Sequence, residues 1–180
     1  MRTLLISTCQ EALSEREFVH PISKILDKDE HDILYFEDCN KKLLLNYDKI
    51  IICGTSLQDS FYLESLPFFD DLLKEYAGPI IGICSGMQIL TSIFGLSGLT
   101  ENLEIGTVEI NTIEPNKLFE GVFQVYNLHN YSIRDCDNFT ILATSETSIQ
   151  AVKHFTKEIY GISFHPEVRN EEIIFNFLKI

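Results

Sequence analysis

The segment Gly82-Ile83-Cys84-Ser85-Gly86 lies between an apolar run and a stretch of helical periodicity. When a buried strand turns sharply into a helix, one side chain is exposed at the top of the sheet. The residues two before and two after that side chain must then be very small. Gly82 and Gly86 meet this requirement on both sides of Cys84. The segment therefore predicts a nucleophile elbow, and because the exposed group is a thiol, it predicts acyl transfer through a thioester.

The first half of the chain alternates short apolar runs with segments of helical periodicity. This order is typical of βαβ units and of a parallel sheet whose strands are buried on both faces. We predict strands over Leu4–Ser7, Asp32–Phe36, Asp48–Cys53 and Pro79–Cys84, and helices over Glu11–Leu26, Leu57–Tyr76 and Met87–Phe94.

After Gly98 the pattern changes to short segments rich in β-branched and aromatic residues, several of them joined by brief turns. Such a pattern predicts strands paired as hairpins, and therefore an antiparallel extension of the sheet. The predicted strands are Ile105–Ile113, Val122–Leu128, Phe139–Ala143, Ile149–Phe155 and Ile159–Phe164, and a last helix is predicted over Glu171–Leu178.

Composition narrows the possible partners and compartment. The 180 residues carry a formal net charge of −13, which would repel nucleic acid and anionic membranes. The cysteines are odd in number and lack a metal-binding spacing, which is typical of a reducing compartment. We therefore expect a cytoplasmic protein that binds neither nucleic acid nor membrane. Apart from Cys84, we interpret the cysteines as inert or packing residues; they are Cys9, Cys39, Cys53 and Cys136.

A cysteine reacts as a thiolate, so Cys84 needs help from the helix dipole and from a neighbouring base. His165 follows the predicted strand Ile159–Phe164, and the carboxyl ends of parallel strands meet at the same rim of a sheet. Pro166 keeps the backbone of His165 extended, so Glu167 can face the imidazole and orient it. We predict Cys84 as nucleophile, His165 as general base and acid, and Glu167 as the orienting carboxylate.

Two motifs together resemble the class I glutamine amidotransferases, a family of triad glutaminases. They are Gly82-Ile83-Cys84-Ser85-Gly86-Met87-Gln88 and Tyr160-Gly161-Ile162-Ser163-Phe164-His165-Pro166-Glu167-Val168. The stretch from Gln150 to Val168 is most similar to the glutaminase part of GMP synthetase. The resemblance implies a single domain over residues 1–180 with a flavodoxin-like α/β fold. That fold has three layers around a mostly parallel central sheet with a short antiparallel extension.

The resemblance also implies a reaction. Cys84 would hydrolyse the side-chain amide of glutamine through a γ-glutamyl thioester, and the released ammonia would pass to a synthase partner, GMP synthetase being the candidate. It implies no metal and no organic cofactor. Because 180 residues are too few to include a nucleotide-activating synthase, we expect the ammonia acceptor to be a separate subunit.

Substrate-binding residues also follow from the resemblance. Gln88 matches the elbow glutamine that contributes to the substrate pocket, and Gly54 lies in the loop that faces this pocket. His129 and Asn130 lie in the segment that matches the loop binding the substrate backbone. From the residues alone, His129 is as compatible with an ordinary loop as with a pocket wall.

One segment departs from the family pattern. The loop after the third strand usually carries paired glycines followed by proline, whereas here the residues are Gly54-Thr55-Ser56. We expect the backbone N–H groups of Ser85 and Thr55 to form the oxyanion hole. If position 55 required a positive φ, a β-branched residue would be strained there. Thr55 thus predicts either a loop that a partner reshapes or weakened activity.

Two alternatives remain open at this stage. The first is a thiol hydrolase of the same fold that cleaves γ-glutamyl amides without a partner. The second is a degenerate, non-catalytic relative that serves in regulation or binding, and Thr55 in place of glycine favours it.

Overall fold

The computed structural model describes residues 1–95 and 98–180. Its strands are β1 (Arg2–Ser7), β2 (Glu30–Tyr35), β3 (Lys49–Ile52), β4 (Ile80–Ile83), β5 (Leu99–Thr112), β6 (Val122–Ile133), β7 (Phe139–Thr144), β8 (Ile149–His154) and β9 (Ile159–Ile162). Its helices are α1 (Ala12–Phe18), α2 (His20–Ile25), α3 (Lys41–Leu44), α4 (Phe61–Glu64), α5 (Leu66–Leu73), α6 (Ser85–Gly95) and α7 (Glu172–Leu178), with a 3₁₀ turn over Phe36–Asp38.

The strands of the described residues form one mixed sheet in the order β2-β1-β3-β4-β9-β8-β7-β5-β6. The pairings from β2 to β9 are parallel, whereas those from β9 to β6 are antiparallel. The antiparallel part is therefore as extensive as the parallel part. The antiparallel extension was predicted correctly, but the prediction that it is short and that the sheet is mostly parallel was wrong. The difference comes from β5 and β6, which are 14 and 12 residues long and continue beyond the apolar runs that marked them in the sequence.

The central strands are buried on both faces, as their continuous apolar runs predict. Ile51 and Ile83 pack against the layer that contains α1, α2 and α7. Ile50 and Ile52 face the opposite layer, which contains α4, α5 and α6. The result is three layers, with the carboxyl ends of β1, β3, β4 and β9 at one rim of the sheet.

Two predicted helices are shorter than their sequence periodicity indicated. The segment Glu11–Leu26 divides into α1 and α2 because Pro21 occupies the first turn of α2, where its missing N–H is tolerated, rather than a helix interior. The segment Leu57–Tyr76 is helical only from Phe61, and residues 57–60 form a loop beside the elbow. Among the described helices, none has the length and apolar character that crossing a membrane requires.

Candidate active site

Cys84 occupies the sharp turn between β4 and α6. Its φ is 50°, in the left-handed region that few residues other than glycine adopt. A Cβ atom on Gly82 would overlap the backbone of Gly86, and one on Gly86 would overlap the carbonyl oxygen of Ile52. These close approaches are the steric requirement that the sequence predicted for an elbow. The backbone N–H of Cys84 donates to the carbonyl of Ile162, which ties the elbow to β9.

His165 lies just beyond the end of β9 and is held by its backbone and its ring. Its backbone N–H donates to the carbonyl of Tyr126 at 2.9 Å, and Nδ1 lies 2.8 Å from Oε1 of Glu167. The side chains of His165 and Glu167 are both 1% exposed. Phe18 of α1 covers the imidazole, with ring centroids 5.3 Å apart. The carboxylate thus fixes the orientation of the ring through Nδ1, and Nε2 on the other side of the ring does not contact Glu167.

The structure brings Cys84 and His165 together across Gly54. Burial alone would lower the pKa of His165, but the charges of Glu167 and Cys84, together with the hydrogen bond to Glu167, outweigh it and raise the pKa well above its usual range. Nε2 is buried and has no hydrogen-bond partner among the described residues. The pair can therefore hold a proton on the imidazole beside the sulfur, which is what a cysteine nucleophile needs.

The other four cysteines share one property. Burial raises the pKa of each of their thiols, to about 12 for Cys39 and Cys136. They therefore stay protonated near neutral pH and react poorly. Cys53 is fully buried in the core, as predicted, and the thiol of Cys9 donates to the carbonyl of Gly54 at 3.7 Å.

A cavity of about 210 Å³ opens beside the Cys84 side chain. It is smaller than the 300–1,000 Å³ typical of sites for drug-sized ligands, so it suits a molecule the size of an amino acid. Cys84 and Ser85 form one side, and the loop after β3 and the middle of β6 form the others. Of the predicted substrate and oxyanion residues, this cavity is lined by Thr55, Ser85, Gln88, His129 and Asn130.

Gln88 lines the cavity, but both ends of its amide are already engaged. Oε1 accepts a 2.6 Å hydrogen bond from the hydroxyl of Tyr62, and Nε2 donates to the carbonyl of Tyr131 at 3.1 Å. Burial, and then the charge of Cys84, raises the pKa of Tyr62, so its hydroxyl remains a donor. Gln88 therefore braces α4 and β6 against α6 around the cavity.

The side chains of His129 and Asn130 point away from each other along β6. Asn130 donates to the carbonyl of Leu57 at 2.6 Å, which fixes the loop before α4. His129 is 2% exposed; its Nδ1 lies 3.2 Å from the carbonyl of Asn102, and its Nε2 lies 3.0 Å from Oε2 of Glu104. The structure therefore places His129 in the pocket wall rather than in an ordinary loop.

Glu104 of β5 is the centre of a buried polar cluster behind His129. Oε2 accepts hydrogen bonds from Asn127 at 2.8 Å and from Gln150 at 3.0 Å. Burial alone would raise the pKa of Glu104, but a hydrogen bond from Thr147, the charge of His129 and further hydrogen bonds outweigh it and lower the pKa. Gln150 in turn accepts from Ser163, two residues before His165. An ionised carboxylate thus joins both walls of the site from behind.

The loop after β3 is not strained. Positive φ values outside glycine occur at Cys84, Asn138 and Asn170 among the described residues, and Thr55 is not one of them. Thr55 is 3% exposed, and its hydroxyl donates to Oδ2 of Asp59 at 2.5 Å. The strain that the sequence suggested for a β-branched residue at this position is therefore absent.

Sequence reasoning missed Tyr62, Asp59 and Glu104. Tyr62 was missed because it lies within the helix predicted over 57–76, where it had the pattern of an ordinary packing residue. Glu104 alternates with apolar residues in the sequence, but β5 exposes Leu103 and Ile105 and buries the carboxylate between them. An inward acid flanked by outward apolar residues reverses the usual alternation of a strand. No group of three or more potential ligand residues is placed to hold a metal ion within 1–95 and 98–180.

Comparison with known proteins agrees with this geometry. Residues 17–180 match the sequence profile of the family described as glutamine amidotransferase class-I. The chain is 43% identical over 114 residues to a subunit of the glutamine-hydrolysing GMP synthase of Methanosphaera stadtmanae, an alignment covering 57% of this chain and 60% of that protein. It is 39% identical over 137 residues to the corresponding GMP synthase subunit of Pyrococcus abyssi, covering 71% of each.

A solved structure extends the comparison to the whole fold. It is a protein from Thermoplasma acidophilum described as a GMP synthase subunit, with a TM-score of 0.86 and 22% identity over 99% of this chain and 92% of that one. At that identity, the likeness establishes the mixed-sheet α/β fold. The profile match covers far more than half of the residues and includes both sequence motifs, so this chain belongs to the class-I glutamine amidotransferase family.

Proposed function

We propose that this chain is a glutaminase subunit that hydrolyses the side-chain amide of glutamine and passes ammonia to a partner that makes GMP. The observation that carries the proposal is the arrangement of Cys84, His165 and Glu167 beside a cavity of amino-acid size. Family membership and the names of the two GMP synthase relatives support the substrate and the acceptor.

The reaction follows from the positions of these groups. The Cys84 sulfur attacks the δ-carbon of glutamine while His165 is protonated, and the tetrahedral intermediate places its negative charge near the N–H groups of Ser85 and Thr55. His165 then gives its proton to the leaving nitrogen, which departs as ammonia and leaves a γ-glutamyl thioester. Water attacks this thioester, His165 takes the proton, and glutamate leaves with the thiolate regenerated. Glu167 keeps the ring oriented and stabilises its charge throughout.

The acceptor is proposed to be a separate synthetase subunit, because the relatives carry the name of one subunit of a GMP synthase. Gly54, Gln88, His129 and Asn130 are proposed to shape the glutamine site. Gln88 and Asn130 are proposed to shape the site indirectly, by holding the cavity wall in place, since their side-chain amides are hydrogen-bonded to other residues.

We also propose a flavodoxin-like fold, a single domain and a cytoplasmic location. The order β2-β1-β3-β4-β9 corresponds to the 2-1-3-4-5 order of flavodoxin-like folds, which supports that assignment for the parallel half of the sheet. The continuity of one sheet from β2 to β6 supports a single glutaminase domain over 1–180. Reduced thiols fit a cytoplasmic protein.

The test is glutamate release from glutamine by the purified chain, alone and with the GMP-forming synthetase of the same organism. We expect release that increases with the partner and is abolished in Cys84→Ala, whereas Cys136→Ser behaves as the wild type. A glutamine-mimicking diazoketone should form an adduct at Cys84. Hydrolysis of γ-glutamyl peptides in preference to glutamine would favour the partner-independent hydrolase, and no adduct even with partner present would favour the non-catalytic relative.

A further inference from the structure

The connection from β3 to α4 contains an acidic residue that no part of the proposed reaction uses. Asp59 is 8% exposed, and its Oδ2 accepts hydrogen bonds from the hydroxyl of Thr55 at 2.5 Å and from the backbone N–H of Gln10 at 3.3 Å. Its own N–H donates to the carbonyl of Ser56 at 3.1 Å. The backbone of Asp59 thus closes the turn 56–59, and its side chain ties this turn to Thr55 and to the connection between β1 and α1.

We propose that Asp59 is a positioning residue for the oxyanion loop, residues 54–56, and that it acts through the Thr55 side chain. The inference rests on the proposed glutaminase function. In this proposal the Asp59 carboxylate holds the oxyanion loop in place, and the loop needs this contact because it lacks the paired glycines and the proline of the family pattern.

The residues of this loop explain why such a contact is needed. A proline after the glycines would restrict the backbone by its ring, and Ser56 has no such restriction. Thr55 instead has a hydroxyl group, and a hydrogen bond from this hydroxyl can hold the backbone of the loop in place. A hydrogen bond to a carboxylate is shorter and roughly twice as strong as one between neutral groups, and here it is buried. The contact between Thr55 and Asp59 therefore supplies the rigidity that the residue types at 54–56 do not.

Asp59 lines the cavity, but its contacts assign it to the loop rather than to the substrate. A carboxylate facing the developing oxyanion would oppose it, but the oxygen that contacts the loop is engaged by two donors on its own side. Thr55 and Asp59 both line the cavity together with Cys84 and Ser85, and of the two it is Thr55 whose backbone N–H is the proposed oxyanion donor. The path from carboxylate to reaction thus runs through the Thr55 side chain to its own backbone N–H.

The experiment measures two reactions at the same sulfur in the complex with the synthetase. Glutamine hydrolysis passes through an oxyanion, whereas alkylation by iodoacetamide displaces iodide from a saturated carbon and passes through none. We expect Thr55→Val, which is nearly isosteric, and Asp59→Ala to lower kcat for glutamine by about 10- to 100-fold. This is less than the cost of about 10²–10³-fold for removing one oxyanion donor, because the donor is displaced rather than lost. The rate of Cys84 alkylation should stay within about twofold, since Thr55 and Asp59 do not contact the sulfur.

Rescue and coupling separate positioning from general damage. Thr55→Ser and Asp59→Asn keep a hydroxyl donor and an oxygen acceptor, so their kcat should stay within a few-fold of the wild type. The double variant T55V/D59A should be no slower than the slower single variant, because both remove the same contact. Thr3→Val is the matched control; Thr3 is fully buried, its hydroxyl has no partner among the described residues, and it lies at the opposite end of β1.

Three results would overturn the inference. One is wild-type kcat in both Thr55→Val and Asp59→Ala. Another is a parallel fall in alkylation and hydrolysis, which would mean that the site as a whole is disturbed. The third is additive losses in T55V/D59A. If Asp59→Ala does not fold, Thr55→Val decides the question alone. Absence of glutamate release by the wild-type complex is a different result, since it refutes the proposed function itself.

Discussion

A Cβ atom placed on Gly54 would lie 2.7 Å from Cε1 of His165 and 3.4 Å from Cβ of Cys84. The glycine therefore fills the space between the two side chains that the proposed chemistry brings together. Contacts of a Cβ atom below 3.0 Å essentially never occur, so any side chain at position 54 must displace the imidazole. His165 cannot move freely in response, because Glu167 and the backbone of Tyr126 hold it.

We expect Gly54→Ala to lower kcat/KM for glutamine by about 10²-fold, since a displacement of about 1 Å at a reacting group has that effect. Steady-state glutamate release in the presence of the synthetase measures it. Gly98→Ala is a suitable control, because a Cβ atom there meets nothing within 4 Å. Unchanged kinetics in Gly54→Ala would mean that the imidazole does not work from the position seen here.

The raised pKa of His165 predicts a pH-dependent stability. In the folded protein the ring stays protonated above its ordinary pKa of about 6.5, so the native state binds more protons than the unfolded state between that pH and the raised value. The stabilisation is complete below about pH 6.5 and is lost as the pH rises through the folded pKa. We therefore expect the difference in unfolding free energy between wild type and His165→Gln to be largest near pH 6 and to shrink towards alkaline pH.

Urea unfolding between pH 6 and 9 measures this difference. Cys84→Ala provides an internal check, because the charge of Cys84 contributes to the raised pKa of His165. In that background the loss should begin at a lower pH. A difference that is constant across the range would show that His165 titrates alike in the folded and unfolded chains.

The parts of this structure that sequence could predict are those dictated by neighbouring residues. The glycines around Cys84 impose the elbow, and the continuous apolar runs indicate strands buried on both faces, whereas the division of the segment Glu11–Leu26 at Pro21 was not predicted. The family resemblance stated from two motifs is confirmed by the profile match. The roles of individual site residues stay predictions until they are measured.

The parts that sequence could not predict depend on contacts between distant segments. Tyr62 and Gln88 are 26 residues apart, and Glu104 and Gln150 are 46 apart. No local pattern records that such pairs meet, and the buried position of Glu104 became visible only when the facing of β5 was known. The loop at 57–60 was mistaken for helix because its residues have compatible spacing, although the loop is needed to line the cavity.

Glu104 should be required for stability because several donors converge on it. Removing the carboxylate leaves the buried amides of Asn127 and Gln150 without their acceptor, so Glu104→Ala should lose about 3 kcal/mol or more in unfolding free energy. Because the pKa of Glu104 is lowered in the folded state, its contribution is present above the unfolded pKa of about 4.3 and is lost as the pH falls below it.

Urea titrations of wild type and Glu104→Ala at pH 7 and at pH 4 test both statements. The gap should be wide at pH 7 and narrower at pH 4. Glu109→Ala is the control, because its exposed carboxylate lies on the same strand outside the polar cluster. Equal stability of Glu104→Ala and wild type at pH 7 would contradict the view that the cluster supports β5 and β6.

Tyr62 is expected to control glutamine binding through Gln88. In Tyr62→Phe the ring remains but Oε1 of Gln88 loses the 2.6 Å hydrogen bond that orients it, while its Nε2 still donates to the carbonyl of Tyr131. The loosened amide weakens the cavity wall without touching Cys84 or His165. We expect KM for glutamine to rise by about 10-fold, equivalent to about 1.4 kcal/mol, with kcat little changed.

Tyr76→Phe is the matched control, because it makes the same chemical change at a buried hydroxyl that donates to the carbonyl of Tyr47, far from the site. It should lower stability and leave KM as it is. Equal KM shifts in both variants would trace the effect to general loosening, and a fall in kcat confined to Tyr62→Phe would place this hydroxyl in the chemical step instead.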